Sequence, residues 1–128
     1  MGGKFVSLTL DENHATYQIR AYQSGSIQVN DCVLHKSIII TPYKLIEDWS
    51  PQIFSELTDN DLTIVIDQNP AIVLIGTGPI LQFPNAAIYG ALINAGIGVE
   101  IMDTHAACRT YNALTAEDRN VLAALIIN

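Results

Sequence analysis

The sequence predicts one α/β domain organised around a βαβ unit. Two short, continuously apolar runs, Ala71–Ile75 and Ile97–Met102, enclose a helix-length segment, Asn85–Ala95. A Gly loop follows the first run and Gly96 precedes the second, which is the pattern of strand, crossover helix and parallel strand with both strands buried. Upstream, the first forty residues alternate apolar and polar positions between turn clusters, as an antiparallel meander does. At 128 residues the chain is one domain, spanning 1–128, and large enough to bury a real core.

Taken in order, Lys4–Leu10 alternates well enough for a strand, and the Asp11–His14 cluster turns the chain. Tyr17–Gln23 places Tyr17, Ile19 and Ala21 on one face. After Ser24-Gly25, Ile27 and Val29 continue extended. Asn30-Asp31 turns again, and Cys32–Thr41 reads as one further strand, with His35 and Lys36 toward solvent, ended by Pro42. Tyr43–Pro51 is irregular, with Trp49 as its packing anchor. Ile53, Phe54 and Leu57 make a short hydrophobic turn. Thr58 caps a helix whose first turn holds Asp59 and Asp61, which suits the helix dipole. Leu62, Val65 and Ile66 share one face of it, and Asn69-Pro70 stops it.

In the crossover helix Asn85 is the cap, and Ile88, Leu92 and Ala95 form the buried stripe. Gly96 fits the left-handed residue past its end. Asp103 or Thr104 caps a third helix running to about Leu114. Thr104, Cys108 and Tyr111 share one side of it; His105, Arg109 and Asn112 share another. The tail Val121–Ile127 is apolar all round. Its length suits a buried strand, Ala123 and Ala124 suit a helix, and periodicity leaves both open.

Nearly half of the residues are hydrophobic, 15% are charged and the net charge is −7, so the chain is globular. Its six Lys and Arg are scattered, which argues against nucleic acid and against an anionic membrane surface. No apolar run approaches membrane-spanning length and no secretory signal opens the chain, so the expected location is the cytoplasm. Cys32 and Cys108 lie far apart with no metal-ligand spacing around them; no metal or other cofactor is expected.

No catalytic residue announces itself. Gly76-Thr77-Gly78 follows a strand, yet it is neither a dinucleotide fingerprint nor a P-loop, and Pro79 removes an amide donor. A tight turn with positive φ is the simpler reading. If the two strands of the βαβ unit are parallel neighbours, Gly76, Thr77 and Gly78 flank one crevice with the start of the third helix. Thr104, His105 and Arg109 are then the further candidates for holding a small ligand or anion there. Against that, Asp103 would occupy the helix amides and repel an anion. Cys108 sits a full turn inside its helix and fits a buried small hydrophobe better than a nucleophile. Asp59, Asp61 and Asp67 fit a solvated helix face, not a calcium loop.

The stretch Met102–Leu114, MDTHAACRTYNAL, resembles the signature of the Mth938-like domain family. Gly25–Asn30, the run from Ser37 to Pro42, Trp49, the Gly76–Gly78 loop, Gly96–Glu100 and Arg119–Ile126 also resemble it, so the likeness covers nearly the whole chain. Asp31, where Gly is frequent, and His105, where a smaller residue is common, depart from it. The resemblance implies a compact three-layer α/β fold around a mixed sheet, with the final apolar segment as an antiparallel strand. It implies no established catalysis. It implies a role through protein contacts, since mitochondrial members help to assemble respiratory complex I. The expectation is therefore a non-enzymatic interaction domain with a protein partner, an exposed apolar patch on the early strands, and a homo-oligomer left open. The alternative is a small-molecule or anion binder, or an enzyme, using the crevice.

Overall fold

The computed structural model describes Val6–Ser7 and residues 13–128. A four-stranded antiparallel sheet runs in the order β1 (Val6–Ser7), β2 (Ile19–Gln23), β3 (Ser26–Val29), β4 (Cys32–Leu34). The remainder of the strand expected over Lys4–Leu10 lies outside the described residues. A second, five-stranded sheet has the order β6 (Leu45–Ile46), β5 (Ile38–Ile40), β9 (Val121–Ile126), β7 (Ile72–Thr77), β8 (Gly98–Met102). It is mixed: β7 pairs parallel with both β8 and β9, and β5 pairs antiparallel with β9 and β6.

Side-chain alternation in this larger sheet builds the layers. Ile38, Ile40, Leu74, Val121, Ala123 and Leu125 pack with the small sheet's Ile19, Tyr22, Ile27 and Val29 and with helix α3 (Thr104–Ala116). Ile39, Val73, Ile75, Leu122, Ala124 and Ile126 face the other way. There they meet Trp49, Leu57, the short helix α1 (Thr63–Asp67) through Val65, and the crossover helix α2 (Ala86–Asn94) through Leu92. The mixed sheet is thus covered on both faces, a three-layer α/β architecture. Strand β9 is buried at every position, which is why its sequence shows no polar face.

Several expectations are corrected. Cys32–Thr41 is two strands, not one. The exposed residues His35 and Lys36 carry the chain out of the meander, and β5 joins the other sheet. Strand β8 lies at the sheet edge and is exposed at Gly98 and Glu100, so only one strand of the βαβ unit is fully enclosed. In α2 only Leu92 is buried; Ile88 is half-buried and Ala95 exposed, because the helix sits at the rim of its layer beside that edge strand. The helix expected from Thr58 opens as a 3-10 turn, Asp59–Leu62, before α1. The Asp61 carboxylate accepts from the Thr58 N–H (2.8 Å) and from its hydroxyl (3.0 Å), which fixes the entry. Trp49 is 3% exposed and its indole N–H donates to Asp61 O at 2.9 Å, the packing anchor expected.

Candidate functional site

The crevice anticipated between the Gly76–Gly78 loop and the start of α3 exists as a junction in which Gly78, Asp103 and Thr104 engage one another and their neighbours. Asp103 caps α3, its carboxylate accepting from Ala106 N–H at 2.9 Å. Ala107 N–H donates to Asp103 O, and Thr104 N–H donates to Gly78 O at 2.9 Å. The Thr104 side chain is fully buried. Its hydroxyl accepts from Gly78 N–H at 2.8 Å and donates to Ile126 O at the end of β9. One threonine therefore ties the loop after β7, the central strand β9 and the helix start together.

The glycines make room for that tie. A Cβ on Gly76 would stand 2.9 Å from the Thr104 hydroxyl oxygen, 2.9 Å from a Leu125 methyl and 3.2 Å from Thr104 Cα. Gly78 has φ +97°, and a Cβ there would come within 3.0 Å of Asn128 O. The tight turn requires glycine for both reasons. Thr77 is buried too. Its hydroxyl donates to Ile80 O (2.8 Å) and accepts from Gln82 N–H (3.2 Å), closing the first turn of the loop that follows.

The remaining candidates lie apart from this knot. His105 is half-buried and stacks on Tyr22 of the small sheet, ring centroids 5.3 Å apart and planes 12° from parallel. Arg109 is exposed. Further along α3, Tyr111 OH donates to Tyr17 O at 2.7 Å. Asn112 clamps β2 at two points: its Oδ1 accepts from Ile19 N–H (3.2 Å) and its Nδ2 donates to Ile19 O (2.6 Å). Burial, and then the Asp103 charge, push the Cys108 thiol well above its ordinary range, so it stays protonated and packs as a hydrophobe. Burial likewise raises Tyr111, and burial with Cys108 and Asp103 raises Tyr22. Among the described residues no cluster of three His, Cys, Asp or Glu is placed to hold a metal.

The feature that sequence reasoning missed is the loop between β7 and α2. Ile80, Leu81 and Phe83 are 69%, 45% and 72% exposed. Ile80 shares a recess with Ile53, which is 46% exposed. Across β2 to β4 the one exposed large apolar side chain among the described residues is Val33. The signal was available in the Pro79–Pro84 stretch, where three large apolar residues sit between two prolines in a segment read only for its glycines.

No helix of the described structure is long and apolar enough to cross a membrane. Among the known proteins similar over most of this chain, three are representative. The "13 kDa major membrane protein" of Francisella tularensis is 29% identical, the match covering 93% of this chain and 99% of that protein. The bovine NADH dehydrogenase (ubiquinone) 1 alpha subcomplex assembly factor 3 is 28% identical over 94% of this chain. The chain spans 66% of that relative's length. A solution structure of a Bordetella pertussis protein, described as a Mth938-like domain, superposes with a TM-score of 0.79 at 28% identity. That superposition covers 95% of this chain and 92% of the Bordetella one. A family model for proteins of unknown function, DUF498/DUF598, matches residues 19–126, from β2 to the end of β9. On these matches, and on the fold they share, the chain belongs to the DUF498/DUF598 family of Mth938-like domains.

Proposed function

We propose that this chain is a non-enzymatic protein-interaction domain that helps to assemble a respiratory or other membrane complex from the cytoplasmic side. The observation that carries the reading is the apolar loop Pro79–Pro84, which holds Ile80, Leu81 and Phe83 in solvent on a rigidly anchored base. Large apolar side chains presented singly are ordinary; three in one loop beside a fourth, Ile53, fit a docking surface. The name of the bovine relative supports the assembly role. Against the alternative of a ligand or anion in the crevice stand the engaged amides of Thr104, Ala106 and Ala107 and the engaged hydroxyl of Thr104. In this reading Gly76, Thr77, Gly78 and Thr104 hold the loop in position, while His105 and Arg109 lie outside the docking surface.

The test is co-purification from the native cell of wild-type protein and of an Ile80→Ser, Phe83→Ser double variant, read by mass spectrometry. The reading expects stoichiometric subunits of a membrane complex with wild type and their loss with the variant, at an unchanged Tm. Equal recovery with both, or no protein partner with wild type, overturns it.

A further inference from the structure

At the opposite end of the large sheet, where β7 and β9 begin, lies a cavity that plays no part in the proposed docking. Its volume is about 330 Å³, inside the roughly 300–1,000 Å³ range of small-molecule pockets. The floor is buried and consists of Ala15, Pro70 and Thr115; the rim is exposed and carries Tyr43, Asp118 and Arg119.

Among the described residues, the walls are held by bonds that do not use the side chains of Tyr43, Asp118 or Arg119. Asn13 Nδ2 donates to Thr115 Oγ1 at 2.8 Å, and that hydroxyl donates to Asn112 O at 3.1 Å. Ala71 and Ile72 N–H both donate to Asn120 O, and Asn120 Nδ2 donates to Asn69 O. Two non-glycine residues have left-handed backbones here, Asp118 in the lining at φ 58° and Asn69, between the lining residues Gln68 and Pro70, at φ 51°. Asn and Asp tolerate that region better than other residues, and such conformations persist where the surroundings enforce them.

The rim chemistry selects the ligand. Arg119 presents a planar guanidinium that matches a carboxylate. The neighbouring Asp118 repels a simple anion and attracts an ammonium. The exposed ring of Tyr43 adds a π face that favours a cation. Gln68 offers an amide that both donates and accepts. A molecule with no net charge also escapes the repulsion that a chain of net charge −7 exerts on phosphates and other polyanions. Pro42, Pro70 and Ala15 supply apolar wall. We propose that this cavity binds a small zwitterion of the free α-amino acid class, carrying an aliphatic side chain.

The probe is L-valine, titrated into isotope-labelled protein and followed by two-dimensional NMR. The expected result is saturable shifts of the Gln68, Arg119 and Asn120 backbone amides below about 10 mM. Isovalerate, which lacks the ammonium, and isobutylamine, which lacks the carboxylate, should each bind about tenfold more weakly or worse. Arg119→Gln and Asp118→Asn should each weaken valine by a similar factor without altering shifts elsewhere. Asparagine keeps the left-handed backbone accessible, so the second variant isolates the charge. Absence of saturable shifts, equal binding of valine and isovalerate, or unchanged affinity in both variants overturns the proposal.

Discussion

The two ends of the large sheet are built on opposite plans. At the C-terminal ends of β7 and β9, a buried threonine hydroxyl, two glycines and the capped start of α3 consume one another's polar groups and free space. At the N-terminal ends the buried groups are satisfied in the floor, and the charged side chains of Asp118 and Arg119 stand at the rim of an open cavity. Open parallel sheets usually bind ligands at their C-terminal edge, where helix N-termini converge. Here that edge is structural. The geometry that makes it attractive for a ligand also makes it attractive for a threonine already in the chain.

Three measurements break or sharpen this contrast. The largest effect of a single substitution is expected from Thr104→Val, which keeps the shape and removes the hydroxyl. It leaves Gly78 N–H and Ile126 O buried without a partner, at a cost of roughly 2 to 4 kcal/mol in urea unfolding. A cost below about 0.5 kcal/mol would mean that the closed end is held by something else.

Next comes alkaline pH, which probes the closed side through α3. Burial raises the Cys108 thiol above its ordinary 9.0 and the Tyr111 phenol above its ordinary 10.0. Both stay neutral in the native state, while the unfolded chain ionises. Their contribution is therefore complete below pH 9 and is lost as pH rises toward the folded values. The slope is about 1.4 kcal/mol per pH unit for each group. Cys108→Ala should delay the fall in the urea midpoint by about one pH unit, leaving the tyrosine part. A midpoint that is flat to about pH 11 would show that water reaches these groups.

The smallest effect is expected at the open end. Arg119→Gln should move stability by less than about 0.5 kcal/mol, because the side chain is exposed. A loss comparable to that of Thr104→Val would make the guanidinium part of the architecture and erase the contrast between the two ends.

How much of this was legible depended on whether the signal was local. The Asn85 and Asp103 caps and the left-handed Gly96 were readable because each is fixed by its own neighbours. Strand β9 was ambiguous by pattern because both of its faces are buried, which erases the alternation that marks a half-exposed strand. The break at His35–Ser37 carries no Gly or Pro, so Cys32–Thr41 read as continuous. The edge position of β8 is a tertiary fact, and Ile97–Met102 is as apolar as a central strand. Of the candidate residues, Thr104 was readable as part of a helix start, but its ties to Gly78 and Ile126 join segments distant in sequence, as does the stacking of His105 in α3 on Tyr22 in β2. The cavity was invisible because its lining residues, among them Ala15, Tyr43, Pro70 and Arg119, come from four stretches that no motif links.

The placement of β9 also bears on how the chain is made. It follows β5 and β7 in the chain, yet it lies between them and pairs with both. Until it leaves the ribosome, β5 has no bridge to β7, and each presents an unpaired edge. The large sheet therefore cannot form progressively during synthesis; it closes in one late event that joins segments more than eighty residues apart, as in the pairing of Ile38 with Leu125. Such a topology folds slowly and exposes sticky edges while it waits. Holding those edges apart until β9 arrives is the step at which a nascent copy is most in need of a chaperone.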